Sequence, residues 1–233
     1  MSFQNALDFA KRIAYSHLDT LINTYTLASD VIEEVNGCLV ETGVAAGGQI
    51  IMMKQALIDS RNSYKKIIAC DSFEGIPLPT KNDDQMAGIR YLTKEEQDAL
   101  PSHNEYDKFL ISSGATVHSL DNFSSNIISS GVGMEQIIPI KGWFEKTMPL
   151  IIEAIGIHGI SLLRMDGDNY SSTKVVLESL YPLVNKGGYI IIDDWALAGC
   201  RKACEEYFEK KHIEPDLQSV PNATVKYFKK TKE

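Results

Sequence analysis

Apolar residues recur at helical spacing over residues 3–29, where Phe3, Leu7, Ala10, Ile13, Ala14, Leu18, Leu21 and Ile22 are interleaved with Asp8, Lys11, Arg12 and Asp19. This spacing predicts an amphipathic helical lead-in. From residue 38 the pattern changes. Short, near-continuous apolar runs at 38–42 (CLVET), 67–71 (IIACD), 137–141 (IIPIK), 160–165 (ISLLRM) and 189–193 (YIIID) predict strands covered on both faces, as in a parallel sheet. Helical spacing predicts helices over about 48–60, 117–130, from 144, 171–183 and 198–211, with a last strand near 224–228. Asn185-Lys186-Gly187-Gly188 predicts a tight turn before the fifth run. The alternation of strands and helices predicts a doubly wound α/β fold in one domain spanning 1–233, with residues 1–35 as a helical extension.

One stretch, 74–108, breaks the alternation with Pro, Asp, Asn, Lys and Gln (EGIPLPTKNDDQ, then LTKEEQDALPSHNEYDK). A loop that long in a compact domain is usually functional, so it predicts a partly helical lid.

Ligands of open α/β sheets bind beyond the carboxyl ends of the strands, where the connections reverse direction. Polar and glycine residues collect at those ends: Glu41-Thr42-Gly43 through Gly47-Gly48, Asp71-Ser72-Phe73, Lys141-Gly142-Trp143, Asp166-Gly167-Asp168 and Asp193-Asp194-Trp195. The glycines at 43, 47 and 48 suit close backbone approach to a ligand. They match neither the phosphate-loop pattern nor G-x-G-x-x-G. Asp71, at the end of the second strand, can accept from the two hydroxyls of a ribose. Asp166, Asp168, Asp193 and Asp194 follow two buried strands. Carboxylates crowded at one place repel unless a cation or proton intervenes, which points to an oxygen-ligated Mg²⁺, Mn²⁺ or Ca²⁺.

Composition narrows the partners. The 233 residues are 44% apolar and 23% charged, ordinary values for a globular chain. Twenty-three Lys and Arg against 31 Asp and Glu give a net charge of −8, a poor footprint for nucleic acid. No apolar run approaches a membrane span, and the start MSFQNALDFAKRIAY lacks the layout of a signal peptide. A cytoplasmic chain with reduced Cys38, Cys70, Cys200 and Cys204 is expected, the last pair packing a helix. His17, His103, His118, His158 and His212 show no ligand spacing. The long amphipathic first helix leaves room for a dimer contact.

The ordered blocks "LVETGVAAGG", "CDSFEGIPLP", "GWFEKTMP", "LLRMDGDNYSSTKVVLESLYPLVNKGGYIIIDDW" and "GCRKACEEYF", over residues 38–208, resemble the macrocin O-methyltransferase (TylF-type) family. The resemblance implies a Rossmann-like class I methyltransferase fold. It also implies an enzyme that uses S-adenosyl-L-methionine and a divalent cation such as Mg²⁺ to methylate a sugar hydroxyl of a glycoside or nucleotide-sugar. By that resemblance Glu41, Thr42 and Gly43 line the methionine part, Asp71 the ribose, and Ser72, Phe73, Gly142 and Trp143 the adenine surroundings, with Gly47 a further cofactor-binding residue. Asp166, Asp193 and Asp194 hold the metal, with Asp166 also beside the cofactor, and Asp168 is the general base. The chain departs from the family at Ala45-Ala46, where an aromatic residue and an arginine are frequent. Three other readings compete. A metal-dependent methyltransferase for a catechol-like phenol differs only in acceptor. A glycosyltransferase would use Asp166-Gly167-Asp168 as a D-x-D motif but leaves the glycine loop and the second aspartate pair unexplained. A non-catalytic member of the fold would be expected to lack the acids.

Overall fold

A computed structural model describes residues 1–103, 105 and 110–232. The chain runs α1 (Phe3–Ile13), α2 (Leu18–Ile32), β1 (Cys38–Thr42), α3 (Gly48–Asp59), β2 (Ile67–Asp71), β3 (Gln85–Met86), β4 (Arg90–Tyr91), α4 (Lys94–Ala99) and α5 (Leu120–Ser130). It continues with β5 (Ile137–Lys141), α6 (Phe144–Ile155), β6 (Ile160–Met165), α7 (Tyr170–Leu180), β7 (Val184–Ile192), α8 (Ala198–Lys211), β8 (Gln218–Ser219) and β9 (Lys226–Lys229).

The main sheet has the order β5-β2-β1-β6-β7-β9-β8. Its first five strands are parallel, and β9 and β8 close the edge antiparallel. Alternate residues of each strand serve opposite layers. Leu39, Ile67, Ala69 and Leu162 face a core shared with α1, α2, α3 and α5, while Val40, Ile68, Leu163 and Ile190 face one shared with α6, α7 and α8. This doubly wound arrangement explains why the strand sequences lack polar alternation. All four cysteines are buried as free thiols in the second core.

Connections reverse direction between β1 and β6. Thr42 stands opposite Cys70 and Met165, and Met165 opposite Ile192. The residues that follow, Gly43, Asp71, Asp166 and Asp193, therefore emerge side by side at one end of the sheet.

Three local expectations change. The lead-in is two helices, because Ala14 turns extended (ψ 145°) and the His17 side chain caps α2 by accepting from the Asp19 N–H. The apolar face of α1 is spent on α3 and α5 within the chain. The turn foreseen at 185–188 lies inside β7: Val184 already pairs with Ile160, and the intervening residues are absorbed in a register shift before Leu162 meets Tyr189. The inserted segment is longer than 74–108, returning alongside its own start through Ile76 N to Ala115 O (3.0 Å) and Leu78 N to Ile111 O (2.9 Å). It carries the β3–β4 hairpin and α4, which has a Thr93/Glu96 capping box; residues 104 and 106–108 of the expected lid lie outside the described residues. Among the described residues, no helix is long and apolar enough to cross a membrane.

Candidate active site

A cleft of about 380 Å³ opens at the reversal point, floored by the strand ends and roofed by the inserted segment. Its chemistry starts from a residue that sequence reasoning missed. Arg164, next to the last residue of β6, is completely buried. Its Nη1 donates to Asp166 Oδ2 at 2.9 Å and stands 3.5 Å from Glu41 Oε1, and its Nη2 donates to Asp193 Oδ1. Burial works against the guanidinium charge, but the carboxylates of Asp193, Asp166 and Glu41 outweigh it and raise its pKa. The available signal was a lone charge in an otherwise apolar strand, which needs partners.

Asp166, Asp168 and Asp194 each offer an oxygen within 4.8 Å of the others. Burial raises all three carboxyl pKa values. Repulsion adds to it, from Asp193 on Asp166 and from Asp168 on Asp194; Asp168 is pushed up to about 7, with Asp193 and Asp71 adding to the burial effect. Such crowding fits a divalent cation, whose charge would reverse the repulsion. Asp193, expected from the sequence in the ligand set, stands outside this trio, and one of its oxygens accepts from Arg164. Asp168, expected only as a base, stands inside it. The backbone of Asp168 is left-handed (φ 59°) and its N–H donates to Asp194 Oδ2 at 2.8 Å, which ties the two strand ends together.

The other wall fits a nucleoside with an amine-bearing tail. Glu41 is 1% exposed, its Oε2 has no hydrogen-bond partner among the described residues, and burial pushes its pKa up to about 8 against the pull of Arg164. An ammonium donor in the cleft would satisfy that oxygen. Asp71 organises the loops: Oδ2 accepts from Ala45 N (2.9 Å) and Oδ1 from Phe73 N (2.7 Å). These bonds hold Ala45 (φ 44°) and Phe73 (φ 54°) in the left-handed region. Gly43 (φ +92°) must be glycine, since a Cβ there would fall 1.6 Å from the Asp166 carbonyl oxygen.

Of the expected cofactor residues, Glu41, Gly43, Asp71, Ser72, Trp143 and Asp166 line the cleft. Thr42, Gly47, Phe73 and Gly142 stand behind that lining. Thr42 is fully buried in β1, Gly47 abuts Phe123 and Ile127, Phe73 packs on Phe123, and Gly142 donates its N–H to Asp71 O. Ala45 and Ala46 also line the cleft, as do Ile13 at the end of α1 and Ala14, Tyr15 and Ser16 after it.

A family model described as macrocin-O-methyltransferase (TylF) matches residues 13–230. A relative from Streptomyces olivaceus, 8-demethyl-8-(2,3-dimethoxy-alpha-L-rhamnosyl)-tetracenomycin-C 4'-O-methyltransferase, is 30% identical over 213 residues, 91% of this chain and 73% of that protein. Demethyldecarbamoylnovobiocin O-methyltransferase from Streptomyces niveus is 32% identical, again over 91% of this chain and 73% of its own. The solved structure of the O-methyltransferase NovP superposes with a TM-score of 0.73 at 30% identity, covering 94% of this chain and 83% of that one.

Proposed function

Because the chain belongs to the macrocin-O-methyltransferase (TylF) family and is an O-methyltransferase, we propose that it methylates a sugar hydroxyl of a small glycosylated molecule. In this reading S-adenosylmethionine is the methyl donor and a divalent cation sits at the carboxylate cluster. The observation that carries it is the gathering of Asp166, Asp168 and Asp194 oxygens within 4.8 Å at the edge of the cleft that Glu41 and Asp71 line. The sugar acceptor is supported by the rhamnosyl group in the name of the Streptomyces olivaceus relative. Family membership removes the glycosyltransferase reading of Asp166-Gly167-Asp168 and the non-catalytic one.

When bound, the donor supplies an electrophilic methyl group on a sulfonium, and the cation supplies a Lewis acid that lowers the pKa of a hydroxyl. The protein does the rest. Glu41 receives the donor's amine and Asp71 its ribose, fixing the direction from which the methyl group is presented. Asp166 and Asp194 would hold the cation, while Asp193 accepts from Arg164. Asp168, whose oxygen lies within 4.8 Å of those of Asp166 and Asp194, takes the proton from the acceptor hydroxyl. Holding hydroxyl and methyl in line removes much of the entropic barrier.

The test is transfer of a labelled methyl group from S-adenosylmethionine to a panel of rhamnosides, nucleotide-linked rhamnose and catechol, with Mg²⁺ or with EDTA. Label is expected in a sugar, falling by about 100-fold or more with the chelator. Label in catechol alone would overturn the sugar acceptor, and transfer indifferent to EDTA would overturn the cation.

A further inference from the structure

The roof of the cleft is fastened by a buried acid that the chemistry above does not use. Asp83, in the inserted segment ahead of β3, is 3% exposed. Its Oδ1 accepts from the N–H of Tyr170 at 2.7 Å, and its Oδ2 accepts from the N–H and the hydroxyl of Thr80 at 2.8 and 2.9 Å. Tyr170 is the first residue of α7, so Asp83 satisfies a donor the helix leaves open and meets the positive end of its dipole. Asp83 fits there because residue 199 of α8 is glycine; a Cβ would sit 1.9 Å from Asp83 Oδ1. A second fastening runs beside it, from Asn169 Nδ2 to Pro77 O at 2.9 Å.

Both fastenings end on the loop that carries Asp168. Four residues beyond Asp83 begins the Ala87–Gly88 turn of the β3–β4 hairpin, which lines the cleft in front of that loop. A Cβ on Gly88 would lie 3.7 Å from Asp168 Oδ1 and 3.9 Å from Leu197. The turn is therefore a wall beside the base, and its place is set by where Asp83 is held.

We propose that Asp83 is a positioning residue: by fastening the inserted segment to the first N–H of α7, it holds the Ala87–Gly88 turn against Asp168 and sets the width of the acceptor slot. The proposal rests on the reading of Asp168 as the base beside the acceptor. Three donors converge on one buried carboxylate, so removing it leaves the Tyr170 and Thr80 N–H groups unsatisfied. Asparagine retains an oxygen for Tyr170, whereas alanine retains nothing.

Amide hydrogen exchange on the full chain, saturated with S-adenosylhomocysteine, tests this in Asp83→Ala, Asp83→Asn and Thr80→Val. The Tyr170 amide and residues 85–91 are expected to exchange about 10-fold faster or more in Asp83→Ala. Asp83→Asn should restore most of the protection at Tyr170, Thr80→Val should give an intermediate rate, and S-adenosylhomocysteine affinity should stay at the wild-type level throughout. Unchanged protection at Tyr170 and 85–91 in Asp83→Ala would overturn the proposal, as would Asp83→Asn behaving like alanine. If Asp83→Ala does not fold, Asp83→Asn and Thr80→Val decide, the latter lacking only the hydroxyl. No acceptor is present, so a chain that fails to methylate sugars contradicts the function above and leaves the fastening standing.

Discussion

Asp168→Asn is expected to slow methyl transfer by about 10²–10⁴-fold, the usual worth of a general base, while S-adenosylhomocysteine binds as in the wild type. The backbone tolerates the substitution. Asp168 sits at φ 59°, a region asparagine tolerates better than most residues. Its contact to Asp194 Oδ2 comes from the main-chain N–H and survives the change. A folded variant that loses cofactor affinity together with turnover would move Asp168 from proton transfer to cofactor binding. A variant with full turnover would leave the acceptor proton to another group.

Arg164→Met should be the most damaging single change to stability. Arg164 is completely buried and touches Asp166, Asp193 and Glu41, which reach it from one strand and the ends of two others. Removing the guanidinium strands three carboxylates around an uncharged side chain. Breaking a buried pair from one side costs about 3–5 kcal/mol, which for a chain of this size lowers the thermal midpoint by roughly 10 °C. Arg164→Lys keeps the charge but loses the fork that reaches two carboxylates at once, so its midpoint should fall between the two. Thermal denaturation followed by circular dichroism reads both. A midpoint for Arg164→Met within about 2 °C of wild type would mean that the carboxylates need no internal counter-charge.

The end of the molecule that forms the cleft was legible because the fold puts it at strand ends. Asp71, Asp166 and Asp193 each directly follow or close an apolar run, and a parallel sheet in register turns that sequence position into proximity. Residues whose partners come from distant segments were not legible. Arg164 makes sense only when Glu41, Asp166 and Asp193 arrive from β1 and the ends of β6 and β7. Asp83 lies in a segment with no periodicity and bonds a main-chain N–H, which leaves no side-chain signature. The break between α1 and α2 was hidden for another reason. Residues 14–17 contain neither Gly nor Pro, and helical spacing runs through them; the stop comes from an extended Ala14 and a histidine cap. In β7 the reverse happened, since Asn185 to Gly188 carry turn residues but edge pairing keeps them in the strand, with Gly187 N donating to Lys230 O at 2.7 Å.

Calorimetric titration of the wild type and Asp71→Ala with S-adenosylmethionine tests the central claim most directly. Asp71 pins the glycine loop to the end of β2 and faces the cleft, so the wild type should bind in the micromolar range and Asp71→Ala about 10-fold more weakly or worse. No heat of binding in the wild type, or equal affinity in the two proteins, would contradict the assignment of this cleft to the methyl donor.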